Sequence, residues 1–300
     1  MNYAFLFVGY SKAGKDTSAN ILKSSFPGKT LGGSKLVERV YGIYGKSNIT
    51  RFCKELKDKK GPLVLIHELF EDLGEITPEN IYLTGIRSPE EFNFAEQELT
   101  RRGYSTIPLR IKRKDRLSER DLSDVSQGVN ELEGLCSLLL DNTGSEEELR
   151  VRLSELGKYL QCNSLELNLS ELITPSLFHV QCSSKIGLYE KNLALLQTGR
   201  KKTTIRYAHQ SIKIPSSSSL PLVLTENQDG VVIIKEQVGM ADITRVDMKP
   251  ISKLTLEDAI SDGFSDVETL RKELEDIYAP LIKRSVRGCD PITIWHLNQS

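Results

Sequence analysis

The chain opens on an apolar run, Tyr3-Ala4-Phe5-Leu6-Phe7-Val8. It passes at once into Gly9-Tyr10-Ser11-Lys12-Ala13-Gly14-Lys15-Asp16-Thr17 and then into a helical pattern through Lys23. The apolar run reads as a buried strand. A strand, a loop framed by two glycines, a Gly-Lys pair and a helix start together form a phosphate-binding loop. Chemistry accounts for each position. Gly9 and Gly14 let backbone amides curl inward toward phosphate oxygens. The helix start adds partial positive charge, and Lys15 reaches the β- and γ-phosphates as a point charge. A hydroxyl normally follows this lysine and helps hold Mg²⁺. Here Asp16 intervenes, which leaves Thr17 as the expected ligand and Asp16 as the alternative contact, through water. The competing reading is an ordinary glycine-rich strand–helix turn. The strand before and the helix after argue against it.

The rest of the first half alternates strand and helix. After the loop at 30–34, helices are expected over 35–41, 48–57 and 63–73, and Asn80 to Gly85 reads as a strand. Pro89 opens a helix in the favoured first-turn position, with Glu90 and Glu91 on its positive end. Ser105 to Ile111 and Leu138 to Leu140 read as further strands, and Ser145 caps a helix through Glu155. Alternation of this kind on a phosphate-binding first strand predicts an α/β fold: a parallel sheet with flanking helices. The expected organisation is 1–158 as a nucleotide-binding domain, 159–176 as a linker and 177–300 as a second domain.

The 300 residues carry a net charge of −1, so nothing in the overall balance draws the chain to nucleic acid or acidic membranes. The five cysteines are far apart, without a CxxC, which argues for reduced thiols and against a disulfide framework or zinc site. No apolar stretch reaches membrane-spanning length, and the first apolar run is too short for a signal peptide. A cytoplasmic protein without a membrane partner is expected. The four histidines are dispersed and read as partly buried or surface residues.

The second half has short β runs with few helices: 177–182, 202–207, 220–225, 231–237, 243–250 and 291–297, with helices over 189–198, 256–260 and 267–277. A small α+β barrel is expected. Its densest chemistry is Gly199-Arg200-Lys201-Lys202-Thr203-Thr204-Ile205-Arg206, with four cations and two hydroxyls in the last seven residues. On a strand, Lys202, Thr204 and Arg206 share one face. By composition alone, a solvated charged strand is the plainer reading. The basic run from Arg110 to Arg120 is likewise either a solvated face or part of a closing lid over a transferring phosphoryl group.

The Gly-Lys-Asp-Thr loop resembles that of deoxynucleoside monophosphate kinases. Thr84-Gly85-Ile86-Arg87-Ser88-Pro89 resembles the Asp-Gly-Ile-Arg-Ser segment of dephospho-coenzyme-A-kinase-like proteins, and 140–149 resembles that family's C-terminal segment near the adenine. This likeness implies ATP bound by Gly9, Gly14, Lys15, Asp16, Thr17 and Asn142, together with Mg²⁺. It also implies catalytic roles for Lys15 and for lid residues Arg116 and Arg120, and contact with a nucleotide or nucleoside acceptor from Arg87. Thr84 departs from the family's acid. The segment 177–298 resembles the ASCH domain, a PUA-like β-barrel. The motif from Gly199 is similar to that of small ASCH amidohydrolases acting on acetylcytidine. That resemblance implies catalysis by Lys201 and Thr204, with Asp262 in place of the family's glutamate. The alternative within this half is binding only, with Arg200, Lys201, Lys202 and Arg206 gripping a nucleoside, nucleotide or RNA. Two functions follow as expectations: a nucleotide or nucleoside kinase joined to a domain that binds or deacylates a modified nucleoside, or an RNA-binding regulator with an ATP switch. A loop that only stabilises its fold is the blander third.

Overall fold

The structure is a computed structural model describing residues 2–74, 79–113, 128–161, 165–167, 179–207, 211–228 and 231–299. The chain divides into two compact units, Met1–Gly157 and Lys158–Ser300.

The first unit is a five-stranded parallel sheet in the order β2-β3-β1-β4-β5. Its strands are β1 (Tyr3–Val8), β2 (Gly28–Gly32), β3 (Asn80–Thr84), β4 (Ser105–Lys112) and β5 (Leu138–Asp141). Its helices are α1 (Lys15–Leu22), α2 (Gly33–Tyr41), α3 (Lys46–Lys60), α4 (Val64–Leu73), α5 (Pro89–Arg101) and α6 (Glu146–Gln161). β1 is central and almost wholly apolar because both of its faces are covered. Ala4, Leu6 and Val8 join Ile66, Leu69 and Phe70 of α4 and Phe92, Ala95 and Leu99 of α5 in one core. On the opposite face, Phe5 stacks on Tyr82 at 5.1 Å and lies 5.7 Å from Phe26, just beyond α1. Ser88 caps α5 through Glu91 N, with Pro89 in the first turn. Ser145 and Glu148 exchange reciprocal hydrogen bonds at the start of α6.

Residues 30–34, expected as a loop, instead contribute the end of β2 and the start of α2. Gly32 is extended at φ −153° and aligns with Thr84 in β3. Glycines that read as a turn here serve an edge strand with one core side chain, Leu31.

The second unit holds a mostly antiparallel sheet in the order β8-β11-β12-β13-β9, with β6 also paired to β12. Its strands are β6 (Leu165–Leu167), β8 (Ile186–Leu188), β9 (Thr203–Tyr207), β11 (Ser219–Gln228), β12 (Val231–Pro250) and β13 (Pro291–Gln299). A separate parallel pair joins β7 (His179–Ser183) to β10 (Ser211–Pro215). Helices α7 (Glu190–Gln197), α8 (Leu256–Ser261) and α9 (Val267–Ile282) complete it. Leu270 and Leu274 of α9 and Ala259 of α8 pack on Ile205, Tyr207, Ile292 and Ile294.

Three expectations change here. The strands expected at 231–237 and 243–250 are one 20-residue strand, carried past its polar middle by register shifts against β11 and β13. Backbone pairing does not close the sheet into a barrel among the described residues. Instead Trp295 Nε1 and Thr293 Oγ1 donate to the Lys213 carbonyl on β10, at 3.2 and 2.6 Å. The supposed linker carries the end of α6 and strand β6.

Candidate phosphate-binding loop and a buried lysine–aspartate pair

The loop between β1 and α1 is built from conformations that few side chains tolerate. Gly9 has φ +155° and Gly14 has φ +97°. A Cβ on Gly9 would lie 2.6 Å from the Ile111 carbonyl, and one on Gly14 would overlap the Asn142 amide. Gly14 is the residue before α1, and its carbonyl accepts from Ser18 N at 2.9 Å. Lys15 is buried and folds back over the loop, donating from Nζ to the carbonyls of Gly9 (2.7 Å) and Tyr10 (2.6 Å). Asn142, at the end of β5, donates from its side chain to the Ala13 carbonyl at 2.8 Å. Arg113 donates to the Lys12 carbonyl at 3.2 Å. Two neighbouring strands therefore clamp the loop from one side.

A cavity of about 350 Å³ opens beside it, lined by Lys12, Gly14, Lys15, Asp16, Thr17 and Asn142 and also by Arg113, Gly144, Glu146 and Leu149. The expected ATP-binding residues other than Gly9 thus share one wall, and Gly9 accepts from Lys15. These residues fit a polyphosphate: a helix N-terminus, a lysine already at the loop's mouth, and two positions where a Cβ would fill the cradle. Asp16 and Thr17 are the oxygen donors of the motif on this wall, and a magnesium ion that keeps most of its waters needs no more than one or two protein ligands. Among the described residues no cluster of three or more His, Cys, Asp or Glu side chains forms a metal cage.

Thr84 is buried at the end of β3, level with Phe7 of β1. Beyond it, Arg87 N donates to Glu91 Oε2 at 2.7 Å, and Lys57 Nζ pairs with Glu91 Oε1 at 2.5 Å. Glu91, which reads in sequence as a helix-end charge, is the buried bridge between α3 and the Arg87 segment. Nothing local signals this, because Lys57 is 34 residues away. The expected lid residues Arg116 and Arg120 lie outside the described residues.

In the second unit, Gly199 (φ +71°) ends α7 and turns the chain into β9. Lys201 is 3 % exposed and Asp262, just past α8, is 5 % exposed. Lys201 Nζ lies 2.6 Å from Asp262 Oδ1 and donates to the Asp262 carbonyl at 2.9 Å. Burial pushes the Lys201 ammonium below its usual range and Asp262 above its own, while their mutual attraction pulls each back. The structure thus brings Lys201 and Asp262 together.

It does not bring Thr204 to them. The hydroxyl bonded to Asp262 is that of Thr203, at 3.3 Å. Strand alternation sends Thr204 to the opposite face, beside Trp295 and Arg206. Arg206 lies over the Trp295 ring at 5.5 Å and donates to the Gly187 carbonyl at 3.2 Å. Arg200 and Lys202 are respectively exposed at the turn and exposed before the strand. The four cations therefore do not form one grip: two face solvent, one is neutralised inside and one stacks on an indole. His296, set aside on sequence, pairs its Nε2 with Asp247 Oδ2 at 2.9 Å, and Arg245 bonds the same oxygen at 2.9 Å.

Comparison with known proteins adds partial likenesses. No family model matches the chain, and no curated protein matches it. Among solved structures, shikimate kinase from Aquifex aeolicus aligns at 16% identity over 53% of this chain and 99% of its own, with a TM-score of 0.36. The APS kinase of Mycobacterium tuberculosis in complex with AMPPNP and APS aligns at 16% identity over 52% of this chain and 96% of its own, with a TM-score of 0.33. An ASCH domain from Lactobacillus crispatus aligns at 17% identity over 53% of this chain and 97% of its own, with a TM-score of 0.29. Likenesses this partial assign neither a family nor an activity. No helix among the described residues is long and apolar enough to cross a membrane.

Proposed function

We propose that the first unit is an ATP-dependent phosphotransferase acting on a nucleotide or nucleoside, and that the second binds a modified nucleoside or nucleotide. The observation that carries this reading is the loop itself, with Gly14 at φ +97° opening α1 and Lys15 Nζ held over the Gly9 and Tyr10 carbonyls. Phosphoryl transfer asks little covalent chemistry of a protein. It asks for positioned cations and amides around the phosphates. Lys15 would exchange two carbonyls for phosphate oxygens, and Asp16 and Thr17 would hold the magnesium that shields charge on the polyphosphate. Arg87, whose backbone N–H is held by Glu91, would meet the acceptor.

The test is product formation from ATP and Mg²⁺ with a panel of nucleosides, nucleoside monophosphates and dephospho-coenzyme A, with Lys15→Ala as control. Lys15-dependent product is expected with at least one acceptor. ATP affinity unchanged by Lys15→Ala would sink the reading. Thr84 favours a second one, in which the unit binds ATP as a switch and the other half binds RNA. A threonine cannot orient Mg²⁺ or an acceptor as a carboxylate can. ATP binding without transfer to any acceptor, together with salt-dependent RNA binding, would decide for it. Deacylation by the second unit is the narrower possibility. Since Thr203 bonds Asp262, loss of deacylase activity in Thr203→Ala with activity retained in Thr204→Ala would place the nucleophile on Thr203, and the reverse on Thr204.

A further inference from the structure

Helix α8 is six residues long, and two acids stand one turn apart along it: Asp258 in its first turn and Asp262 just past its end. Residues four apart share a helix face. Each of the two meets a buried lysine. Asp262 meets Lys201, on the approach to β9. Asp258 meets Lys249 on β12, whose Nζ donates to Oδ1 at 3.0 Å and to Oδ2 at 2.8 Å. Lys249 is 6 % exposed. It aligns with Ile292 of β13, and cross-strand partners share a face. Lys249 therefore leaves the sheet on the side where Ala259 of α8 packs with Ile292.

The Lys249–Asp258 pair is not needed to finish the helix. Thr255 and Asp258 already form a capping box: Asp258 N donates to Thr255 Oγ1 at 3.2 Å, and Thr255 N donates to Asp258 Oδ2 at 2.8 Å. Nor is a buried ion pair a strong source of stability, since apolar residues of like volume often serve as well or better. What two oxygens on one ammonium supply is a fixed place for the helix on the sheet. A helix this short does not hold itself. At its other end the Ser261 carbonyl accepts from Lys202 N at 2.6 Å, and the next residue must bring its carboxylate to an ammonium closed off from water.

We propose that Lys249 is a positioning residue for the Lys201–Asp262 pair: it pins Asp258 and, through the turn of helix between the two acids, places the Asp262 carboxylate on the Lys201 ammonium. The proposal rests on the reading that this pair belongs to the ligand site of the second unit, and adds that the charge of Lys201 there is set from β12. Burial and Asp262 act on Lys201 in opposite senses, with Arg206 and Glu273 the other charges that reach it. Moving Asp262 away removes an attraction and leaves the burial, so the ammonium gives up its proton more easily. A charged lysine donates hydrogen bonds, whereas a neutral one is a base or nucleophile, and the place of α8 decides which of these a ligand meets.

The test is an NMR titration of the full chain carrying ¹³C-labelled lysine, with the Lys201 signal identified by its loss in Lys201→Met. Asp262→Ala sets the full fall in the Lys201 midpoint. Lys249→Met is expected to give roughly half of that fall or more, and no further fall in the Asp262→Ala background. The sign separates position from charge: deleting the Lys249 ammonium while Asp258 keeps its carboxylate would, through space alone, raise the midpoint. Lys249→Arg, whose guanidinium can take both Asp258 oxygens, is expected to restore the wild-type midpoint. Where circular dichroism finds Lys249→Met unfolded, Lys249→Met combined with Asp258→Asn strands no charge, keeps an acceptor for Thr255 N and carries the same comparison. A midpoint unchanged or raised in the folded variant overturns the proposal. Binding of acetylcytidine and of its 5′-monophosphate, followed by Trp295 emission, tests the reading beneath it. Failure of wild type to bind either, or binding undiminished in Lys201→Met, overturns the ligand-site reading instead, and the midpoints still decide the positional claim.

Discussion

Removing the Asp262 carboxylate should expose what the second unit spends on its buried lysine. Lys201 is 3 % exposed, and its ammonium is matched by one carboxylate oxygen at 2.6 Å and one carbonyl at 2.9 Å. Asp262→Ala leaves the charge with the carbonyl alone. Stranding one member of a buried pair costs about 3–5 kcal/mol. Lys201 can limit the loss by shedding its proton. From an ordinary value of 10.5, staying neutral at pH 7 costs 3.5 pH units, or about 5 kcal/mol. The sign follows. In the variant the folded state binds fewer protons than the unfolded state below pH 10.5, so its stability rises with pH. Between pH 7 and pH 9 the deficit relative to wild type should shrink by up to about 2.7 kcal/mol. The protein has one tryptophan, Trp295, which is fully buried in this unit. Urea unfolding followed by its emission therefore reports this unit. A deficit below about 1 kcal/mol, in the range of an exposed pair, would refute the claim that Lys201 is held charged by Asp262, whereas a large deficit that does not change with pH would mean that Lys201 keeps its proton in the variant.

Three further outcomes follow from the first unit. Gly14→Ala should cost about 1–2 kcal/mol for its left-handed backbone and break the Asn142 clamp, so that both the urea midpoint by far-UV circular dichroism and the affinity for an ATP analogue fall. Tyr82→Phe keeps the stack on Phe5 but loses the hydroxyl bond to the Phe26 carbonyl, for a loss of about 1 kcal/mol by chemical denaturation. Hydrogen bonds from Arg101 and Arg102 hold Glu98 at about 2, below its ordinary 4.5. Its contribution should be present above pH 4.5 and fade as the pH falls toward 2, a loss that thermal melts of Glu98→Gln should lack.

The glycine-framed turn from β1 into α1 was legible because it is local: strand, loop and helix start are contiguous, and the backbone conformation at Gly9 and Gly14 is set by the residues themselves. The parallel sheet followed from alternation for the same reason. What escaped depended on partners distant in sequence. Glu91 reads as a helix-end charge until Lys57 is folded against it. Arg110 reads as the first member of a basic run, yet it lies buried within β4, while Lys112, on the same face at the strand's last position, is exposed. The Thr203–Thr204 pair is symmetrical on paper. One residue of register decides which hydroxyl meets Asp262, and that register is set by β13, some ninety positions later. The two runs of β12 looked like separate strands because a bulged strand keeps its pairing while its polarity pattern slips.

Thr84 offers a final test, because the phosphotransferase and switch readings differ most there. Thr84 is buried at the end of β3, level with the residue two before Gly9, and Gly32 lies close enough that a Cβ there would stand 3.1 Å from its hydroxyl. Aspartate has nearly the volume of threonine, so Thr84→Asp introduces charge with little change in packing. Without ligand, a buried carboxylate with no fixed partner costs several kcal/mol or takes up a proton. With Mg²⁺ and an ATP analogue in the adjacent loop, a cation would stand near enough to offset that cost. The variant should therefore melt below wild type when free, and should gain more than wild type does on adding the analogue with Mg²⁺. The excess should vanish when EDTA replaces the metal. An increase in transfer rate alongside this excess would mean that Thr84 occupies the position of a metal-orienting acid and that its hydroxyl limits the reaction. A melting deficit untouched by the nucleotide would mean that Thr84 faces packed core rather than the phosphates, which would remove the structural ground for preferring a switch.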